Sequence, residues 1–184
     1  MSNINLPNRL TLIRMLLVPL FIASCTFQAW LPWWEVLAAA IFLVAALTDV
    51  ADGRIARSRG LITNFGKLMD PIADKLLFCS AFVMLTWLNR LSPILCILFI
   101  GREFVISGFR LVTAASGSII AASNLGKAKT VLQAVAIVAM LLDNAVFGNW
   151  DVPFGAIVTV LAAVFTVWSA ADYIWKNRKA VSWE

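Results

Sequence analysis

The stretch DVADGRIARSRGLITNFGKLMDPIAD, residues 49–74, is the part of the sequence around which the chain is organised. It contains four of the ten acidic residues, Asp49, Asp52, Asp70 and Asp74. The sequence on both sides is strongly apolar, and an isolated charge is costly in a medium of low dielectric constant. Four carboxylates at helical spacings therefore need a counter-charge, and the pattern favours a metal ion.

The composition around this stretch is typical of a membrane protein. Hydrophobic residues make up 61% of the 184 positions, well above the apolar share of ordinary soluble domains. A membrane-spanning helix needs about 20 mainly apolar residues, so a chain of this length has room for roughly six spans. We therefore predict an all-α integral membrane protein that forms a single domain over residues 1–184.

The apolar segments predict six transmembrane helices, at about residues 10–29, 35–57, 67–88, 92–115, 127–147 and 154–175, after a short interfacial segment at residues 1–9. Pro19 lies inside the first span, where a membrane helix can accommodate it. In this arrangement nearly all lysines and arginines fall on one side, and only Arg90 lies clearly on the other. Because basic residues accumulate on the cytoplasmic side, the acidic stretch is predicted to face the cytoplasm.

The sequence supports neither nucleic-acid binding nor a disulfide-stabilised fold. The net charge of +5 does not indicate nucleic-acid binding, because the basic residues cluster at the ends of apolar segments and form no single stripe. Cys25, Cys79 and Cys96 lie far apart within apolar runs, which is typical of small buried side chains. No disulfide framework is predicted.

The two acidic pairs are spaced so that they can converge. Asp49 and Asp52 are three residues apart, and Asp70 and Asp74 are four apart, so each pair shares one helix face. The chain has no histidine, and carboxylate oxygens alone suit magnesium or manganese better than zinc. Two such ions are a recurrent solution for in-line displacement at phosphorus.

Small residues beside the first acidic pair fit a nucleotide ligand. Gly53 and Ala56 follow Asp49 at offsets of four and seven, so they leave a patch where a ligand can approach the backbone. Arg57, at the end of the same segment, could bind a phosphate through two hydrogen bonds. The alternative is that the aspartates only cap helix ends beside arginines at the membrane interface.

The acidic stretch resembles the signature of the CDP-alcohol phosphotransferase family at every position, Asp49-x2-Asp52-Gly53-x2-Ala56-Arg57-x8-Gly66-x3-Asp70-x3-Asp74. Three further motifs look like those of the bacterial members that make phosphatidylglycerophosphate: Asn5-Leu-Pro-Asn8-x-Leu-Thr11-x2-Arg14, Arg102-Glu103-Phe104 and Gly126-Lys127-x-Lys129-Thr130. The resemblance therefore covers nearly the whole chain.

The resemblance implies a homodimer in the bacterial inner membrane, with six transmembrane helices per copy and an active site open to the cytoplasm. It implies transfer of the phosphatidyl group from CDP-diacylglycerol to sn-glycerol 3-phosphate, with release of CMP. It implies metal ligands at Asp49, Asp52, Asp70 and Asp74, with Asp74 also acting as the general base. It implies CDP-diacylglycerol contacts at Asp52, Gly53, Ala56, Arg57 and Gly66.

The acceptor pocket is predicted from cations in the fourth and fifth spans. Arg110, Lys127 and Lys129 could bind the phosphate of the acceptor. The lysines could instead be anchors for lipid headgroups. The adjacent Arg102 and Glu103 could serve catalysis or order the bundle through partners on other helices. Arg9 and Arg14 divide in the same way between function and anchoring, and anchoring is favoured.

Two alternative functions remain open from the sequence. One is a sister enzyme that uses another alcohol, such as serine, inositol phosphate or phosphatidylglycerol. The other is a membrane cation transporter, in which intramembrane carboxylates bind the cation that crosses. The transporter explains the acidic residues but not Gly53, Ala56 and Arg57.

Overall fold

The computed structural model describes residues 6–59, 64–115, 123–143 and 154–178. Within these ranges the chain forms six α-helices and no β-strand, which confirms the all-α prediction for this part of the protein. The helices are α1 (Leu6–Thr26), α2 (Trp34–Arg59), α3 (Asn64–Trp87), α4 (Pro93–Ala115), α5 (Asn124–Leu141) and α6 (Phe154–Asn177). Each overlaps one of the six predicted apolar segments.

The helix boundaries differ from the prediction by three or four residues at three starts, those of α1, α3 (Asn64, predicted at 67) and α5. Helix α1 begins at Leu6, so residues 6–9 continue the first helix and do not form a separate interfacial segment. Proline is well accommodated in a first turn, where its missing N–H needs no partner. Helix α5 begins at Asn124 because the Ser123 side chain caps it, accepting a hydrogen bond from the Gly126 N–H at 3.0 Å. The predicted end of this span, residue 147, lies outside the described residues.

The helices form two groups that meet along the middle of the bundle. Helix α1 packs on α2 and α3, while α6 packs on α4 and α5. The groups are joined where α5 contacts α2 and α3, and where α3 contacts α4. Small buried residues lie at the helix contacts and let the backbones approach closely; they include Ala38, Ala45, Ala81, Ala136 and Ala162.

Phenylalanine pairs fill the core between the helices. Phe42 contacts Phe21 with ring centroids 6.3 Å apart and Phe78 at 5.5 Å. Phe82 and Phe99 stack at 4.7 Å across α3 and α4. Such pairs contribute about 0.5–1.5 kcal/mol each beyond the area that they bury. They fix how α1 to α4 are rotated against one another.

The outer surface of the bundle is also apolar. Leu16, Ile94 and Leu111 are 71%, 78% and 74% exposed, and many other large hydrophobic side chains share this outward position. Within the described ranges, Asn124–Leu141 and Phe154–Asn177 are long and apolar enough to cross a membrane by length and composition. Exposed apolar surface on this scale is unusual for a soluble monomer and suits contact with lipid.

Arg90 ties three helices together at one end of the bundle. It follows α3 in a turn where Asn89 adopts a left-handed φ of 58°. The Arg90 guanidinium forms an ion pair with Glu35 at the start of α2. It also donates hydrogen bonds to the carbonyls of Met140 (2.9 Å) and Leu141 (2.7 Å) at the end of α5. These contacts satisfy helix-end carbonyls that would otherwise lack donors.

We expect Arg90→Met to destabilise the bundle, because Glu35 would remain largely buried without its cation. Breaking a buried ion pair costs about 3–5 kcal/mol, which for a chain of this size lowers Tm by roughly 5–15 °C. Thermal unfolding of the purified protein in detergent measures the change. The matched control is Arg178→Met, because Arg178 is exposed and stacks on Trp175. Equal melting temperatures for the two variants would contradict this role of Arg90.

Candidate active site

A polar cavity of about 540 Å³ lies between α3, α4 and α5. Its polar lining residues are Asp74 and Lys75 of α3, Arg102, Glu103, Ser107 and Arg110 of α4, and Lys127, Lys129 and Thr130 of α5. The structure thus brings the three predicted acceptor-binding cations, Arg110, Lys127 and Lys129, into the wall of one cavity. The predicted general base, Asp74, lines the same cavity.

The described lining of this cavity carries an excess of positive charge. Five of its residues are lysine or arginine, and two are carboxylates, Asp74 and Glu103. The difference is a formal charge of +3. A cleft lined mainly by one sign of charge concentrates ligands of the opposite sign. This cavity is therefore suited to an anionic ligand such as a phosphate ester.

Glu103 compensates two of the cations and links three helices. Its carboxylate forms an ion pair with Lys129 of α5 and a second one with Arg102 at 3.3 Å. Arg102 also donates a hydrogen bond to the Ser169 hydroxyl of α6 at 3.1 Å. Lys129 is only 2% exposed, so its charge depends on this partner. For Arg102 and Glu103 these contacts favour the bundle-ordering role that the sequence left open.

Arg110 is held by the chain's single tyrosine. The Arg110 Nε group donates to the Tyr173 hydroxyl at 3.3 Å, and the guanidinium lies 5.2 Å from the ring centroid. Tyr173 is 3% exposed and packs edge-on against Phe109 at 6.0 Å. The ring therefore fixes the guanidinium at the cavity wall. No spacing in the sequence indicated this contact between α4 and α6.

Lys127 lies in the first turn of α5 and is exposed. It makes no ion pair with another residue of the described part. The N-terminus of a helix carries a partial positive charge and unpaired N–H groups, both of which favour an anion nearby. Lys127 and the start of α5 therefore add to the positive potential of the cavity.

Asp74 lies where the polar cavity meets an apolar groove of about 420 Å³. The groove runs between α2 and α5, with Asp74 and Thr130 common to both spaces. Its apolar lining residues include Leu43 and Leu47 of α2, Phe78 of α3 and Val131, Val135 and Val138 of α5. Asp74 itself is half-buried. The Asp74 carboxylate thus borders both the charged polar cavity and the apolar groove.

The remaining predicted site residues fall within helices, but their side chains lie outside the described part of the structure. Helix α2 contains Asp49, Asp52, Gly53, Ala56 and Arg57, and helix α3 contains Gly66 and Asp70. Among the side chains that are described, no group of three or more possible metal ligands occurs. The roles given to these seven residues remain predictions.

Two cations take positions that the sequence does not predict. Arg14 was expected to anchor the interface, yet it is 1% exposed and donates from Nε to the Ala45 carbonyl of α2 at 3.3 Å. Lys75 lines the polar cavity, and no sequence motif predicts a role for it. Its position directly after Asp74 was the available signal.

The family model for CDP-alcohol phosphatidyltransferase matches residues 4–168. The chain belongs to this family. The matched region contains every residue that lines the polar cavity, and membership confirms the resemblance seen in the acidic stretch. Family membership thus extends far beyond that signature.

Several relatives are similar over nearly the whole chain. A Bacillus subtilis protein named CDP-diacylglycerol–glycerol-3-phosphate 3-phosphatidyltransferase is 39% identical over 96% of this chain and 97% of its own length. A Rickettsia bellii protein with the same name is 37% identical, over 95% and 96%. A chloroplastic/mitochondrial protein of Arabidopsis thaliana with this name, numbered 1, is 34% identical over 94% of this chain and 64% of its own length.

We expect Glu103→Gln to destabilise the protein strongly, because the buried Lys129 would lose the carboxylate with which it forms an ion pair. The cost of one uncompensated buried charge is about 3–5 kcal/mol. The double variant Glu103→Gln/Lys129→Met should recover much of this loss, since it removes both members of the pair. Thermal unfolding in detergent compares the two.

The matched control for the pair is Asp172→Asn. It breaks the ion pair between Asp172 and Lys176, in which the Lys176 side chain is 66% exposed. A helix-surface pair of this kind contributes about 0.3–0.5 kcal/mol. If the double variant has the same Tm as Glu103→Gln or a lower one, the result would contradict the claim that Glu103 stabilises the fold by pairing with Lys129.

Proposed function

We propose that this chain is a membrane phosphatidyltransferase that moves the phosphatidyl group from CDP-diacylglycerol to sn-glycerol 3-phosphate. The products are phosphatidylglycerophosphate and CMP. Family membership and the names of relatives aligned over nearly the whole chain support this activity. The observation that carries the proposal is the position of Asp74 between the apolar groove and the cationic cavity.

The donor lipid would extend from the apolar groove past Asp74 toward the end of α2. Its acyl chains would lie in the apolar groove along α2 and α5, where lining by leucine, valine and phenylalanine suits hydrocarbon. Its diphosphate would then lie at the Asp74 end of the groove. The cytidine would extend toward Gly53, Ala56 and Arg57, the small residues and the arginine at the end of α2.

The acceptor would bind in the polar cavity with its phosphate near Arg110 and Lys127. The excess positive charge of the lining favours an acceptor that carries a phosphate over a neutral or zwitterionic one such as serine. The sequence predicts that Lys129 binds the same phosphate. Lys129 lines the cavity, but its ion pair with Glu103 supports a smaller contribution of Lys129 to phosphate binding than that of Arg110 or Lys127.

The chemical step is a substitution at the phosphorus that bears diacylglycerol. The Asp74 carboxylate would accept the proton from the acceptor hydroxyl, as a base within reach of the nucleophile does. The hydroxyl oxygen then forms the new bond to phosphorus, and the bond from that phosphorus to the bridging oxygen breaks. The electron pair leaves with CMP. Cavity cations hold the acceptor in position for this attack.

The acidic pairs fit a divalent metal, magnesium or manganese, with two ions as the proposed number. The end of α2 and the start of α3 are joined by residues 60–63 and so lie at the same end of the bundle. Asp49, Asp52, Asp70 and Asp74 would hold the ions, because hard cations prefer carboxylate oxygens. A bound ion would offset the negative charge of the diphosphate.

We also propose that the six helices cross the bacterial inner membrane with the polar cavity on the cytoplasmic side. The exposed apolar outer surface supports contact with lipid. The proposed orientation follows from the concentration of basic residues at the cavity end, because such residues accumulate in the cytoplasm. Pairing of two copies, which the family resemblance implies, belongs to the same proposal.

The proposed activity is tested with purified protein in mixed micelles that contain CDP-diacylglycerol and magnesium. We expect CMP release with sn-glycerol 3-phosphate, and little release with serine, inositol phosphate or phosphatidylglycerol. Adding EDTA should stop the reaction, and excess magnesium or manganese should restore it. Asp74→Asn should release no CMP.

Two outcomes would refute the proposed activity. CMP release with another acceptor but not with sn-glycerol 3-phosphate would favour a sister enzyme. Metal uptake into proteoliposomes, independent of CDP-diacylglycerol and without CMP release, would favour a transporter.

We expect Val135→Trp to weaken use of the donor without affecting the acceptor. Val135 lines the apolar groove and is 44% exposed, so a larger side chain can be accepted there while filling the space. Loss of about 1 kcal/mol of apolar contact corresponds to a rise of roughly fivefold in KM for CDP-diacylglycerol. The control is Val164→Trp, at an exposed position on α6 that does not line the groove. A rise in KM for sn-glycerol 3-phosphate alone would contradict the groove assignment.

A further inference from the structure

The polar cavity contains one cation that neither the sequence motifs nor the proposed reaction has used. Lys75 is half-buried on α3 and lines the cavity directly beside Asp74. It also lines a small adjoining space with Glu103 and Lys129. A lysine in this position faces inward, so a role as an anchor for lipid headgroups does not account for it.

The ion pairs divide the five cavity cations into two sets. Glu103 forms ion pairs with both Lys129 and Arg102. The other three cations, Lys75, Arg110 and Lys127, have no carboxylate partner among the residues described. Of the three, Lys75 is half-buried, so the desolvation cost of an unpaired charge falls mainly on it, whereas Arg110 and Lys127 are exposed. These three residues therefore carry the positive charge that a ligand would neutralise.

The three cations without a carboxylate partner in the described part of the chain come from three different helices. Lys75 belongs to α3, Arg110 to α4 and Lys127 to α5, and all three line the same cavity. A phosphate has three terminal oxygens that can each accept charge-assisted hydrogen bonds. Cations on three walls can therefore surround one phosphate, whereas Arg110 and Lys127 alone would leave the α3 side open.

We infer that Lys75 binds the phosphate of the acceptor and so helps to select a phosphorylated alcohol. This inference rests on the proposed function, and it replaces Lys129 by Lys75 in the set that contacts the acceptor. In sn-glycerol 3-phosphate only three carbons separate the reacting hydroxyl from the phosphate ester oxygen. Asp74 and Lys75 line the same cavity, so a hydroxyl beside Asp74 keeps the phosphate within reach of the Lys75 side chain.

Lysine suits this position chemically. Its ammonium is a compact charge on a flexible stem with three donors, so it can follow the phosphate as the hydroxyl approaches phosphorus. Arg110, in contrast, is fixed by Tyr173. One fixed and two flexible cations would position the acceptor and still allow it to move during the reaction.

The test compares Lys75→Met with wild type in binding and in turnover. Isothermal titration of the detergent-solubilised full chain gives Kd for sn-glycerol 3-phosphate and, separately, for CDP-diacylglycerol. We expect Lys75→Met to raise Kd and KM for sn-glycerol 3-phosphate roughly ten- to hundredfold, the usual effect of losing one hydrogen bond from a charged donor. Donor binding should change less than twofold. Lys75→Arg, which keeps the charge, should recover most of the affinity.

The control is Lys176→Met, which removes an exposed lysine outside the cavity and should leave both constants unchanged. If Lys75→Met fails to fold, Lys75→Gln keeps the polar stem and is measured in its place. Unchanged acceptor binding in a folded variant would overturn the inference. A loss confined to CDP-diacylglycerol would also overturn it, since Lys75 would then serve the donor diphosphate. Failure of wild type to bind sn-glycerol 3-phosphate would instead refute the proposed function.

Discussion

Glu103 is the carboxylate on which the arrangement of the polar cavity depends. It lies in the apolar sequence of α4, and its ion pairs with Lys129 and Arg102 reach α5 and, through Ser169, α6. A buried charge without a partner would favour a different packing of these helices. Because Glu103 forms ion pairs with two cations at once, it links α4 and α5 across the cavity. Among the described residues, Lys75, Arg110 and Lys127 then have no carboxylate partner. The cavity therefore keeps its positive charge without destabilising the bundle.

The two ends of the bundle use arginine in opposite ways. At one end the Arg90 guanidinium forms an ion pair with Glu35 and donates hydrogen bonds to the last carbonyls of α5. At the cavity end Arg110 contacts only a phenol and an aromatic face among the described residues. An arginine that is fully paired stabilises structure, whereas one positioned by a neutral group keeps its charge for a ligand. This contrast separates the part that holds the fold from the part suited to binding.

Much of the helical order could be predicted from the sequence, because the lengths of the apolar runs match the length of a membrane span. The observed start of α5 lies three residues before the predicted one, because the Ser123 cap extends the helix at its N-terminus. Arg110, Lys127 and Lys129, which the sequence predicts to bind the acceptor, line one cavity, and their role stays a prediction.

The sequence does not predict three contacts at the cavity. Lys129 pairs with Glu103, Tyr173 accepts a hydrogen bond from Arg110, and Lys75 lines the cavity. Such contacts depend on how each helix is rotated about its axis. That rotation is set by packing between helices, and the one-dimensional pattern does not contain it.

The apolar groove that ends at Asp74 is open along one side, where Val131 and Val135 of α5 are exposed on the outer surface. In the proposed reaction a lipid could therefore enter and leave sideways, with its chains remaining in hydrocarbon throughout. Only the water-soluble partners would cross the polar boundary. The rate at which the protein meets the donor then depends on the number of donor molecules per unit area of membrane. Dilution of the surrounding water would leave that density unchanged, while dilution by other lipids would lower it.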